Sequence, residues 1–72
     1  MKTRYKYIHF DKNGDDTWTC LTNRGDTELG NIMKNLQWKC YEFVPEYGMA
    51  FTEDCCSDIS HFLRQLDWRN EK

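Results

Sequence analysis

Between Arg4 and Phe10 the side chains alternate, with Tyr5, Tyr7 and His9 on one side and Lys6, Ile8 and Phe10 on the other. That period of two, with aromatic and β-branched residues, predicts a strand over 4–10. Asn13-Gly14 follows inside a polar stretch, and because both residues tolerate positive φ the pair predicts a hairpin. A second strand over 16–22 places Trp18 and Cys20 on one face and Thr17, Thr19 and Leu21 on the other. Asn23-Arg24-Gly25-Asp26 is the next turn. The third strand, 28–34, carries Leu29, Ile32 and Met33; Leu29 and Ile32 are out of phase, which predicts a bulge near Gly30. After Asn35-Leu36-Gln37 comes an aromatic strand over 38–44, closed by Pro45, which has no N–H for the ladder.

The period then changes. Thr52 is a good N-cap, followed by Glu53 and Asp54 where the helix dipole favours acids. Cys55, Ile59, Phe62, Leu63 and Leu66 fall at the spacing of one helical face, and Asp58, Arg64 and Asp67 lie off it. The predicted helix runs over 53–68, with Asn70-Glu71-Lys72 as a tail. The order is thus β-β-β-β-α, and short turns make consecutive strands antiparallel neighbours. The expected fold is α+β: one domain over 1–72, a four-stranded antiparallel meander with a C-terminal helix packed on one face. The expected core is Ile8, Phe10, Leu21, Ile32, Phe43, Ile59, Phe62, Leu63 and Leu66. With the helix over Ile8 and Phe10, the Tyr5/Tyr7 face would stay open, with Trp18 and Trp38 on or beside it. An exposed aromatic surface marks a contact site. The expected binding residues are Tyr5, Tyr7, His9, Trp18, Trp38, Lys39 and Tyr47.

Size and charge narrow the classes. A chain of 72 residues buries about 60% of the surface its unfolded form exposes, so pairing between copies is common at this size. A homodimer is therefore expected. Net charge is −2, with 10 basic and 12 acidic residues, which argues against a polyanion binder and against a DNA mimic. There is no apolar stretch near the N-terminus of the signal-peptide kind and none long enough to span a bilayer, so neither membrane insertion nor export is expected. The expected location is the cytoplasm, where thiols stay reduced.

The candidate chemistry is weak. Cys20, Cys40, Cys55 and Cys56 lack the paired spacing of a zinc site, and adjacent residues on a helix diverge by about 100°. Cys20, Cys40 and Cys55 read as small core residues. Cys56, on the polar side of the first helical turn, reads as an exposed thiol with no base beside it in sequence. The acidic stretch from Asp11 fails as a calcium loop, since Asp16 holds the glycine position and Thr22 the closing glutamate position. Arg24-Gly25-Asp26 reads as a turn, not an adhesion motif. His9 and His61 fall on different elements and read as ordinary side chains. No metal, cofactor or enzymatic activity is expected.

Leu29-Gly30-Asn31-Ile32, then Trp38, Tyr41, Phe43 and Pro45, then Phe51, then Cys56-Ser57-Asp58-Ile59-Ser60-His61-Phe62 form a pattern of spaced aromatics, preceded by Tyr7-Ile8-His9-Phe10 and Trp18. This pattern resembles a group of small proteins encoded by tailed phages and prophages. Members often carry a tryptophan two residues after the isoleucine, where this chain has Lys34. The resemblance implies a viral or prophage origin, not an activity, and assigns no functional residue. A phage protein of this size without catalytic machinery is expected to act by binding. The first reading is a non-enzymatic host-takeover or anti-defence protein that engages a host protein through the aromatic sheet face, in the host cytoplasm. The alternative is a second-messenger sponge that holds a cyclic nucleotide in a pocket between copies. There, rings would stack on bases and Arg4, Lys6 or Lys39 would meet phosphates. A single-strand nucleic-acid binder is a third reading, and the net charge counts against it.

Overall fold

Short polar turns set the topology. The computed structural model describes residues 1–66 and shows an α+β chain in which four strands follow one another across one antiparallel sheet. The strands are β1 (Ile8–Lys12), β2 (Trp18–Thr22), β3 (Glu28–Asn35) and β4 (Cys40–Pro45), in the order β1-β2-β3-β4. Helix α1 (Glu53–Gln65) lies on one face. The expected helical continuation through Asp67 and Trp68, and the tail, fall outside the described residues.

The β1–β2 loop closes without positive φ at Asn13 or Gly14, contrary to the two-residue turn expected there. Asn13 instead bridges a five-residue loop through its N–H to Thr17 O (3.1 Å) and its side chain to Thr17 and Thr19. The β2–β3 turn does use the left-handed region, with Gly25 at φ 87° and Asp26 at φ 51°. Glycine reaches that conformation without steric cost. In the β3–β4 turn, Asn35 Oδ1 accepts from Trp38 N–H at 2.9 Å and Lys39 takes φ 55°. Trp38 and Lys39 therefore belong to the turn, not to the fourth strand, which begins at Cys40.

The bulge expected near Gly30 is present. Leu21 opposes Glu28 while Cys20 opposes Gly30, so Leu29 is the extra residue, and its side chain joins the core. Gly30 sits where the strands crowd: a Cβ there would lie 2.6 Å from the Phe43 ring and 2.7 Å from Val44 O. No other residue fits that spacing without movement of β4.

The N-terminal segment departs most from expectation. Residues 4–10 are not one strand. The chain turns back before Ile8, so that Tyr5 N–H donates to Ile8 O and Phe10 N–H to Thr3 O, both at 2.8 Å, and Arg4 bridges His9. This flap covers the outer edge of β1. It also breaks the alternation, so Tyr5, Tyr7 and His9 do not share a face. Tyr5 is buried with Ile8 and Phe10, Tyr7 is exposed at the turn, and His9 is buried on the face away from the helix.

Register then decides which side chains meet the helix. Phe10 opposes Cys20, which opposes Gly30; Trp18 opposes Ile32, which opposes Phe43. Ile8, Phe10, Trp18, Cys20, Ile32, Tyr41 and Phe43 thus pack toward Ile59 and Phe62 of α1. Leu21 falls on the other face and is only half-buried; Cys20, with no exposed surface, holds the core place expected of it. The helix starts as its sequence dictates: Thr52 Oγ1 accepts from Cys55 N–H at 3.3 Å, with Glu53 and Asp54 in the first turn and Arg64 in the last. Phe62 is the centre of the joint. Its ring stacks on Phe10 at 3.9 Å and meets the edge of Trp18 at 5.1 Å.

At the end of β4, Glu46 donates its N–H to Leu29 O, and its carboxyl shares a hydrogen bond with Glu28. That bond, then the neighbouring negative charge, raises the Glu46 pKa. A raised folded-state pKa stabilises the fold only at acid pH, and the contribution is lost as pH rises through that value. At neutral pH the two carboxylates repel. Glu46→Gln is expected to raise Tm at pH 7, with the gain over wild type shrinking as pH falls toward about 4. Calorimetry across that range checks it. Phe62→Ala removes the shared ring and is expected to cost about 3–5 kcal/mol, comparable to what a core of this size supplies. Urea unfolding followed by tryptophan fluorescence is expected to show a largely unfolded chain in water.

Candidate functional site

The open face of the sheet is not aromatic. Strand alternation puts Asp11, Thr19, Leu21, Asn31, Met33, Glu42 and Val44 there, and side chains knit much of it together. Thr19 Oγ1 donates to Asn31 Oδ1 at 3.2 Å and Asn35 Nδ2 to Glu42 Oε1 at 2.8 Å. The expected aromatic contact face therefore does not form. Tyr5 and Trp18 are under the helix, and Trp38 and Lys39 are in the β3–β4 turn, with Trp38 72% exposed. Tyr47 is fully exposed in the loop before α1. Tyr7 stands apart from them all beside Lys6.

His9 is structural. Asn23 Nδ2 donates to Tyr5 O (2.7 Å) and Lys6 O (3.2 Å), which turns Asn23 Oδ1 toward His9 Nδ1 at 2.8 Å. The proton on that contact therefore belongs to Nδ1 of His9, since the amide oxygen only accepts. Nε2 faces Asp26 at 3.5 Å and Asp11 at 3.9 Å, contacts that pull together only with a protonated ring. Tyr5 ties the N-terminal flap to the helix: its hydroxyl lies 2.8 Å from His61 Nδ1 and accepts from Gln65 Nε2 at 3.3 Å. Burial, then the charge of Asp58, raises the Tyr5 pKa.

Two concave surfaces lie among the described residues. The first lies between β4 and α1, a groove of about 370 Å³ lined by Phe43, Pro45, Phe51, Ile59 and Leu63, with the exposed Cys56 and Ser60 on its lip. Phe43 and Phe51 meet edge to face at 5.4 Å along one wall. β4 is the outer strand of the sheet, and the bond from Glu46 N–H to Leu29 O fixes its phase. Cys40, Glu42 and Val44 turn their backbone groups toward β3, so Phe43 turns its N–H and C=O outward beside the groove. The second is a cleft of about 570 Å³ lined by Lys6, Tyr7, Asn23 and Arg24, at the opposite edge. Among the expected site residues only Tyr7 lines either surface. The groove was hidden because it depends on where the β4–α1 loop carries Phe51; the open outer edge of β4 follows from the element order alone.

Among the described residues, no three His, Cys, Asp or Glu side chains come together as a metal-ion site, and no helix is long and apolar enough to cross a membrane. No protein-family model, curated protein or solved structure matches the chain.

All four cysteines are free. Burial, and secondarily the nearby Cys55 thiol, pushes the Cys20 pKa up to about 12. Since the thiolate is the reactive form, Cys20 is inert in the folded chain and Cys56 is open to reagent. Titration with a disulfide reagent at pH 8 is expected to modify Cys56 first and Cys20 only after denaturant is added. Peptide mapping identifies the order.

Proposed function

We propose that the chain is a small non-enzymatic binding protein that engages a bacterial host protein through the groove between β4 and α1, in a host-takeover or anti-defence role. The observation that carries this reading is the groove itself, an apolar concavity beside the outward backbone groups of an edge strand. Such a pair of features suits an extended segment: its backbone adds to the sheet edge, and an apolar side chain enters the pocket. Aromatic walls give large contact area at low entropic cost, as at binding hot spots. The resemblance to tailed-phage proteins supports a host protein as the partner. This surface replaces the sheet face named by strand alternation.

Ser60 and Cys56 are exposed on the lip, so a charge there blocks the groove without disturbing the core. A tagged chain is expected to retain one specific protein from bacterial lysate. Ser60→Arg or Cys56→Arg is expected to reduce retention about tenfold or more, as loss of a hot-spot contact does, with Trp38→Ala as the unaffected control. Equal retention by the wild type and both lip variants, or no specific partner across a panel of hosts, defeats this reading.

A further inference from the structure

The second cleft concentrates positive charge on a molecule whose net charge is −2. Lys6 and Arg24 line it, and Arg4 borders it with its guanidinium anchored at 3.0 Å on Asn23 Oδ1. Among the described residues none of these cations has an ion pair, and Asp11 and Asp26 face His9 Nε2 instead. Asn23 is held by its bonds to Tyr5 O, Lys6 O and His9, and its own N–H donates to Tyr7 O at 2.9 Å. The cleft wall is therefore set by the fold before any ligand arrives. Tyr7 adds an aromatic face, 51% exposed, with Lys6 Nζ 5.2 Å from its centre.

We propose that this cleft binds a nucleoside phosphate, with Lys6, Arg24 and Arg4 meeting the phosphate and the Tyr7 ring stacking on the base. Each part of the ligand answers a feature of the site. Unpaired cations call for an anion, and guanidinium groups match phosphate oxygens in particular. An exposed ring beside them selects an anion that carries an aromatic face. The volume lies within the roughly 300–1,000 Å³ of small-molecule sites, and the acidic balance of the chain disfavours a long polyanion. The site is separate from the groove proposed for protein binding, so either assignment can fail without the other.

The test is amide chemical-shift titration of the full chain with adenosine 5′-monophosphate as probe, beside adenosine, ribose 5-phosphate and inorganic phosphate. Shifts are expected at Lys6, Tyr7, Asn23 and Arg24, strongest for the nucleotide. Arg24→Ala and Tyr7→Ala, both at exposed positions that leave the core intact, are each expected to weaken binding about tenfold or more. The proposal is overturned by an absence of shifts at millimolar nucleotide. Equal response to inorganic phosphate, or affinity unchanged by Tyr7→Ala, overturns it as well. So does steeply salt-dependent binding of oligothymidylate in preference to the mononucleotide.

Discussion

The placement of the helix on the sheet depends on one ring. Phe62 projects from the last turn of α1 into the space above β1 and β2, where Phe10 lies flat against it and Trp18 meets it edge-on. The Phe10 stack is nearly parallel, with 2° between planes. Its value comes from burial: Phe62, Ile8, Ile32 and Cys20 are the most deeply enclosed side chains. Once Phe62 is seated, Ile59 follows into the core, and Leu63 is carried to the margin where it forms one side of the groove. The groove is thus a consequence of where the helix docks, not a separate element.

The sheet treats its two edges differently. On the β1 side the flap of residues 3–5 supplies the hydrogen bonds that Ile8 and Phe10 present outward. The turn of this flap, together with Asn23 and Arg24, also makes the basic cleft. On the β4 side the chain leaves through Pro45 and a loop, then returns as a helix that covers the face but leaves a furrow along the strand. Polar chemistry collects at one edge and apolar surface at the other. The broad face between them mixes polar contacts, Thr19 with Asn31 and Asn35 with Glu42, with the apolar Leu21, Met33 and Val44.

Element type and order were legible in the sequence because they depend on local signals: the helix cap at Thr52, the i, i+4, i+7 stripe, and turn residues at nearly regular intervals. The bulge was legible too, since Leu29 and Ile32 could reach one core only with an extra residue between strands. The contact surface was not. Its reading assumed that Tyr5, Tyr7 and His9 alternate along one straight strand, but the chain reverses before Ile8 and sends Tyr5 to the core. No local pattern announces a reversal that depends on Asn23, which bonds to Tyr5 and Lys6 from the end of the neighbouring strand. Leu21 failed for a related reason: register, set by pairing with β1, gave the core place to Cys20.

The N-terminal flap guards the sheet as well as shaping the cleft. It is pinned at its far end by paired bonds between the Lys2 backbone and the Gln65 amide, at 2.7 and 2.8 Å. Proteolytic trimming of the leading residues would bare the donors and acceptors of β1 that Thr3 and Tyr5 now occupy. The sheet would then be unprotected on both flanks, and a sheet open at both sides offers two edges for lateral pairing with other chains. In this chain, residues 3–5 cap one of the two strand edges at which a second copy could pair.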